Sequence, residues 1–309
     1  SNNLEMEKEA KNLIYKALKL RPYDLELLTS AFEISSSNKD LINLKSFVKE
    51  FIHKNPYEYS AIKILLLIDE RLDNLEESYR FLNKIIDKSG IQNTSAVAAL
   101  AYLESITDYV PRSYFNLKRD FIEYDLSNNF SKERLNILID NIENNFDAFK
   151  DPEEQSLKGG DVRYLKKNIN REVDAFFKEL SPYIKEFISL LNQSTNPLVI
   201  PNFNQMHEGI WTISIKNEGN MLTHFHPRGI ISGVIYLELE EGKGGEFILG
   251  CSPSNFKENG CSIKVQAKQL KLLLFPSYYF HKTLPYIGKK NRICLSFDFM
   301  TEEQKERNY

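Results

Sequence analysis

Met221-Leu-Thr-His-Phe-His226 sets two histidines two residues apart. Side chains alternate across a β-strand, so a strand here projects His224 and His226 from one face and Thr223 and Phe225 from the other. Two imidazoles on one face form a candidate pair of metal ligands. The sequence around them is written in period two. Ile213 and Ile215 alternate with polar neighbours, as do the run Ile230 to Leu239, the pair Ile263 and Val265, and the set Ile293, Leu295, Phe297 and Phe299. That period predicts strands from about Leu198 onward. The Gly-rich phrase Gly244-Gly-Glu-Phe247 marks a turn that opens a strand. A strand over Leu270 to Phe275 runs into Pro276-Ser-Tyr-Tyr-Phe280, a Pro-led turn that can return a third histidine, His281, to the first two.

The chain before this region has another period. From Leu4 to about Leu191 apolar residues recur at three and four, as in Leu13, Ile14, Ala17 and Leu20, which predicts helices. Two turns there are alike: Arg21-Pro-Tyr-Asp24 and Asn55-Pro-Tyr-Glu58 stand 34 residues apart, and one further step reaches Gly90. A helix–turn–helix unit of that period, over Leu4 to Leu126, resembles the tetratricopeptide repeat, whose helix pairs bury their apolar faces by stacking on neighbours. A plain helical bundle with two coincident Pro-Tyr turns is the competing reading. A helix is also expected over Arg134 to Phe149, a loop or hinge over Lys150 to Asp161 with its Gly159-Gly160, and a helix over Glu172 to Leu191 that stops at Asn196-Pro197. Helices first and strands second predict an α+β protein of segregated domains. The expected division is a helical repeat domain at 1–150 and a β-domain braced by helices at 151–309.

Composition bounds the function. The 309 residues suffice for two domains, and 42% apolar and 12% aromatic residues are ordinary globular values. A net charge of −3 with no Lys/Arg-rich stretch offers no electrostatic basis for a nucleic-acid partner. No apolar run reaches membrane-spanning length and no signal-like apolar core opens the chain, so the expectation is a cytoplasmic protein without a membrane partner. Three cysteines, an odd number without Cys-x-x-Cys spacing, argue for free thiols, against a disulfide framework and against a Cys-based zinc site.

A mononuclear non-haem iron site needs ligands on one face and open positions opposite, where dioxygen and a co-substrate bind. His224, His226 and His281 supply such a set. Arg292, which opens the last strand, presents a planar, permanently charged fork suited to one end of a dicarboxylate. In order, His224-Phe-His226-Pro227, Ser232-Gly-Val-Ile-Tyr236, Phe275-Pro-Ser277, His281 and Arg292 resemble the iron- and 2-oxoglutarate-dependent oxygenases. The resemblance covers Met221 to Phe299. It implies a double-stranded β-helix, a jelly-roll or cupin-like barrel, in which His224, His226 and His281 hold Fe(II). It further implies that Arg292 binds the far carboxylate of 2-oxoglutarate, with help from Tyr236 and Ser296, and that O2 is the oxidant.

Relatives across that superfamily usually carry Asp or Glu where this chain has His226, and often a serine where it has Cys294. Either three histidines hold the metal, or His224 and His281 do so with water in the third place. Three neutral ligands leave the site one charge more positive, which favours anionic co-substrates. Glu246, Trp211, Arg228, His53 and His207 are expected to serve structure rather than chemistry, Arg228 being as well placed to grip a substrate. The implied activity is hydroxylation of a peptide or protein side chain or of a small metabolite, with the helical repeats presenting a surface to a protein partner. The competing classes are a three-histidine oxygenase that needs no 2-oxoglutarate and a non-catalytic repeat scaffold.

Overall fold

The three-to-four spacing of the first half is realised as six helices: α1 (Asn2–Leu20), α2 (Leu25–Glu33), α3 (Asn38–Lys54), α4 (Tyr59–Arg71), α5 (Leu75–Ser89) and α6 (Thr94–Ile106). The structure is a computed structural model, which describes residues 2–90, 92–108, 113–145, 149–150, 156–165, 170–198, 200–258 and 260–306. Two compact units divide the chain, Ser1–Leu103 and Glu104–Tyr309.

In the first unit the two Pro-Tyr turns are the α1–α2 and α3–α4 connections, and Gly90 caps α5 before α6. Asp24 and Ser37 cap α2 and α3 by accepting the main-chain N–H of Leu27 and Asp40. The third turn stacks on the second: Asn93 Nδ2 donates to Pro56 O (2.7 Å) and Ser95 Oγ to Tyr57 O (2.8 Å). Leu28, Leu44, Val48, Ile62, Leu65 and Leu82 are fully buried between the helices. A polar network shares that interior. Lys45 Nζ lies 2.5 Å from Asp69 and 2.6 Å from Glu77, and Ser78 Oγ donates to the fully buried Asp69 (2.6 Å).

The second unit holds α7 (Leu117–Asp120), β1 (Ile122–Asp125), α8 (Lys132–Asn144), β2 (Phe149–Lys150), β3 (Leu157–Leu165), α9 (Arg171–Gln193), β4 (His207–Met221), β5 (Ile231–Glu238), β6 (Phe247–Leu249), β7 (Ile263–Val265), β8 (Lys271–Pro276), β9 (His281–Thr283), β10 (Arg292–Met300) and α10 (Glu302–Glu306). A seven-stranded sheet runs β1-β8-β5-β10-β4-β3-β2 and a three-stranded one β7-β6-β9, every pairing antiparallel. The sheets meet face to face, with Phe247 of β6 against Phe275 of β8 at 5.3 Å between ring centroids. The far end of β4 meets the segment that follows β9, where Glu218 N–H donates to Tyr286 O and Tyr286 N–H to Gly219 O. Helices together with antiparallel sheets make this the α+β arrangement the two periods predict.

Alternation on β10 buries both faces. Ile293, Leu295, Phe297 and Phe299 point outward, where Phe177 of α9 meets Phe297 edge-on (5.1 Å) and stacks on Phe299 (6.0 Å). Arg292, Cys294, Ser296 and Asp298 point inward, into a cavity. α9 buries one apolar stripe, Val173 to Leu191, which is the bracing expected of it.

Several expectations are corrected. The helical pattern before Leu191 is interrupted by strands, and Ile122–Asp125 pairs with β8 in the larger sheet. Four residues are too few for alternation to stand out from the helical background. The helix expected to Phe149 ends at Asn144. Residues 151–155 of the expected hinge lie outside the described residues, and its glycines belong to β3 rather than to a loop. A Cβ on Gly160 would stand 2.2 Å from Ser214 O of β4, so glycine here serves close strand approach at a bulge. Among the described residues no helix is long and apolar enough to cross a membrane. Cys251, Cys261 and Cys294 are free thiols.

Candidate metal centre

The strand expected across Met221 to His226 shrinks to one bridge. β4 ends at Met221, and His224 pairs with His281 as an isolated antiparallel bridge. His224 N–H donates to His281 O (3.0 Å) and His281 N–H to His224 O (2.8 Å), while His226 N–H donates to Ser277 O (3.0 Å). β9 itself lies on β6, with Leu249 opposite His281. The three rings therefore converge because their main chains are tied to one turn and one strand. Ring centroids stand 4.3 Å apart for His224 and His281, 4.9 Å for His226 and His281, and 5.3 Å for His224 and His226. One ligand nitrogen from each lies within 4.8 Å of the others.

Hydrogen bonds set the tautomers. His224 Nδ1 is 2.7 Å from Leu222 O and His281 Nδ1 is 2.9 Å from Tyr279 O. A carbonyl only accepts, so Nδ1 carries the proton in each ring and Nε2 keeps the lone pair that a metal requires. Burial, followed by the neighbouring histidines, holds the His281 pKa well below the ordinary histidine range, which favours the neutral, ligating form. His226 Nδ1 lies 2.7 Å from Asp298 Oδ1 and 2.9 Å from Ser232 Oγ.

The turn that delivers His281 is anchored from outside the sheet. Tyr279 OH donates to Asp120 Oδ2 (2.7 Å), Tyr278 OH donates to Tyr114 O (2.6 Å), and Asn196 Nδ2 donates to Asp120 Oδ1 (2.9 Å). Desolvation holds both phenols far above their usual range, so they remain neutral donors.

A cavity of about 800 Å³ opens on the three histidines, and Arg292, Tyr236 and Ser296 line it as well. Arg292 is 2% exposed. Its Nη1 donates to Gly245 O (2.8 Å), its Nε has no hydrogen-bond partner, and its charge lies over the Tyr236 ring at 5.4 Å. No carboxylate among the described residues pairs with it. A buried cation without a counter-charge is costly, so this one is poised for an anion from outside the chain. The glycine turn provides its seat: Gly245 has φ +75°, and a Cβ there would stand 3.0 Å from Nη1.

The cavity thus gathers every candidate from the sequence, including Trp211, which packs edge-on against His226 at 5.4 Å, and Arg228. Glu246 is directed to Lys264 (3.1 Å) and His207 to Glu302, and His53 of the first unit packs against Phe81. Two residues at the cavity are not singled out by sequence reasoning: Asp298, which lines it one strand period beyond Ser296 on the same face, a visible signal, and Gly245, which seats Arg292 and whose sequence context marks only a turn.

Residues 209–298 match the family model described as "Putative 2OG-Fe(II) oxygenase". The matched segment contains all three histidines, Tyr236, Arg292, Ser296 and Asp298, and supports a 2OG-Fe(II) oxygenase domain in the second unit. No curated protein matches the chain. Solved structures similar to it include a Pseudomonas putida prolyl-4-hydroxylase, with 14% identity over 60% of this chain and 95% of that chain and a TM-score of 0.43. Another is a Trichoplax adhaerens prolyl hydroxylase in complex with a hypoxia inducible factor oxygen degradation domain peptide fragment, with 15% identity over 70% and 94% and a TM-score of 0.44. A third is an oxidoreductase of the 2OG-Fe(II) oxygenase family from Burkholderia pseudomallei, with 11% identity over 60% and 86% and a TM-score of 0.41. At these values none of them bears on substrate or chemistry here.

Proposed function

We propose that this protein is an Fe(II)- and 2-oxoglutarate-dependent dioxygenase that hydroxylates a peptide or protein side chain or a small metabolite. The observation that carries this reading is the buried, anion-poor Arg292 in the same cavity as three convergent neutral histidines. The donor set fits the metal. Three imidazole nitrogens suit Fe(II), and without a carboxylate among them the ion keeps its full charge toward an anionic co-substrate. Bound there, Fe(II) supplies a redox-active centre at which O2 is reduced at the expense of 2-oxoglutarate.

The chain's own residues do the rest. His224, His226 and His281 hold the ion, and their Nδ1 hydrogen bonds keep the rings aimed. Arg292, whose Nε has no partner, takes the far carboxylate of 2-oxoglutarate, steadied by the face of Tyr236. Ser296 offers a hydroxyl on the same inner face of β10. Trp211, Ile213 and Phe275 wall the cavity with apolar surface and exclude water from the reacting groups. The barrel is of the double-stranded β-helix kind, the six helices form tetratricopeptide-like pairs that engage a protein partner, and the protein works in the cytoplasm.

The test is succinate formation from 2-oxoglutarate by iron-loaded protein exposed to O2, beside His281→Ala and Arg292→Ala. Succinate formed by the natural sequence and lost in both variants supports the reading. Iron retained with no succinate in the presence of candidate peptides points to a three-histidine oxygenase without this co-substrate, and absence of iron uptake points to a scaffold.

A further inference from the structure

We infer that Asp298 is a positioning residue for the metal centre, a side chain outside the ligand set that acts on the ion through its hydrogen bond to His226. The inference rests on the metal reading above and concerns a residue outside the ligand set.

Hydrogen accounting leads to it. Asp298 Oδ1 accepts from His226 Nδ1 at 2.7 Å and from Ser232 Oγ at 2.6 Å. Ser277 Oγ, 2.8 Å from Ser232 Oγ, can then donate into Ser232. With Asp298 Oδ1 as the acceptor of both bonds, the His226 proton sits on Nδ1 and Nε2 is left as the ligand atom. Ser232 and Ser277 are fully buried and Asp298 is 7% exposed, so the bonds are not diluted by solvent. No lysine or arginine among the described residues pairs with Asp298, and its charge is directed to His226. The space is closed as well: a Cβ on Gly229 would stand 2.3 Å from Ser277 Oγ and 3.1 Å from Asp298 Cγ.

His224 and His281 place Nδ1 against main-chain carbonyls, whereas Nδ1 of His226 meets the carboxylate of Asp298. A carboxylate on the far nitrogen raises the basicity of an imidazole and fixes its tautomer, and loss of such a partner typically weakens metal affinity about 10- to 100-fold. In most 2-His-1-carboxylate sites the carboxylate touches the metal. Here it stands one imidazole behind.

Anaerobic titration with Co(II), followed by the visible absorption of the bound ion, tests this on the full chain. Asp298→Asn keeps the shape and the acceptor oxygen but removes the charge. It is expected to bind Co(II) about 10- to 100-fold more weakly and to shift the absorption band, with thermal unfolding of the metal-free protein showing that the variant is folded. Ser232→Ala, which leaves the carboxylate in place, is expected to fall less. If Asp298→Asn and Asp298→Ala bind within about twofold of the natural protein with the same spectrum, while His281→Ala abolishes binding, Asp298 merely pins the 226–230 turn and the inference is overturned. If the natural protein itself takes up no Co(II), the metal reading falls and carries the inference with it, a result distinguished by the first titration.

Discussion

His224 and His281, far apart in sequence, exchange both main-chain hydrogen bonds, at 3.0 and 2.8 Å. Two candidate ligands are thereby set side by side by backbone alone, before any ion arrives. Replacing the His224 side chain leaves that bridge in place. His224→Ala is therefore expected to lose Co(II) or Fe(II) binding while its thermal midpoint without metal stays within about 3 °C of the natural protein, which corresponds to roughly 1 kcal/mol for a unit of this size. Isothermal titration together with a melting curve checks both halves.

Arg292 is held by one carbonyl and an aromatic face, with Nε unpartnered. A buried charge without a counter-ion detracts from the fold, so Arg292→Met is expected to leave thermal stability equal or higher. The same variant is expected to weaken 2-oxoglutarate binding by about 10- to 100-fold, since a charge-assisted hydrogen bond is worth about 1.5–3 kcal/mol. Stability gained with co-substrate affinity lost identifies a residue kept for binding, whereas both lost together identifies a structural one.

Burial and its histidine neighbours depress the His281 pKa, and this has a definite sign for stability. Above the ordinary histidine value of 6.5 the folded and unfolded chains are both neutral there, and the group is silent. Below it the unfolded chain takes the proton and the folded chain refuses it, so stability falls as pH drops through 6.5 toward the depressed folded value. The expected slope is about 1.4 kcal/mol per pH unit from this group. Urea unfolding of metal-free protein between pH 8 and 5.5 measures it, and His281→Asn is expected to flatten the curve by that amount.

In the helical unit Lys45 neutralises Asp69, whose side chain is fully buried, at 2.5 Å. Lys45→Met strands that carboxylate and is expected to cost about 3–5 kcal/mol, whereas Lys45→Met with Asp69→Leu recovers most of the loss. Denaturant titration of the three proteins decides whether the pair is required or merely mutually dependent.

Much of this was legible in the sequence because it was local. Alternation over Ile231–Glu238 and Arg292–Met300 and the stripe over Arg171–Gln193 each state their own element. His224, His226, His281 and Arg292, singled out by residue type and order, line one cavity. What failed had its cause elsewhere in the chain. β1 is a strand because β8 offers an edge to a four-residue segment, and Gly159-Gly160 is a bulge rather than a hinge because β4 passes close by.

The sequence by itself determined the two periods, the neutral ligand types and the cation at the start of the last strand, since these depend on residue identity and spacing alone. Only the tertiary structure decided which atoms meet. The His224–His281 bridge, the Asp298 carboxylate behind His226 and the Gly245 seat of Arg292 are contacts across many residues of chain. No local preference encodes them, because the closing of such distances is driven by burial of the whole sandwich rather than by the residues that end up touching.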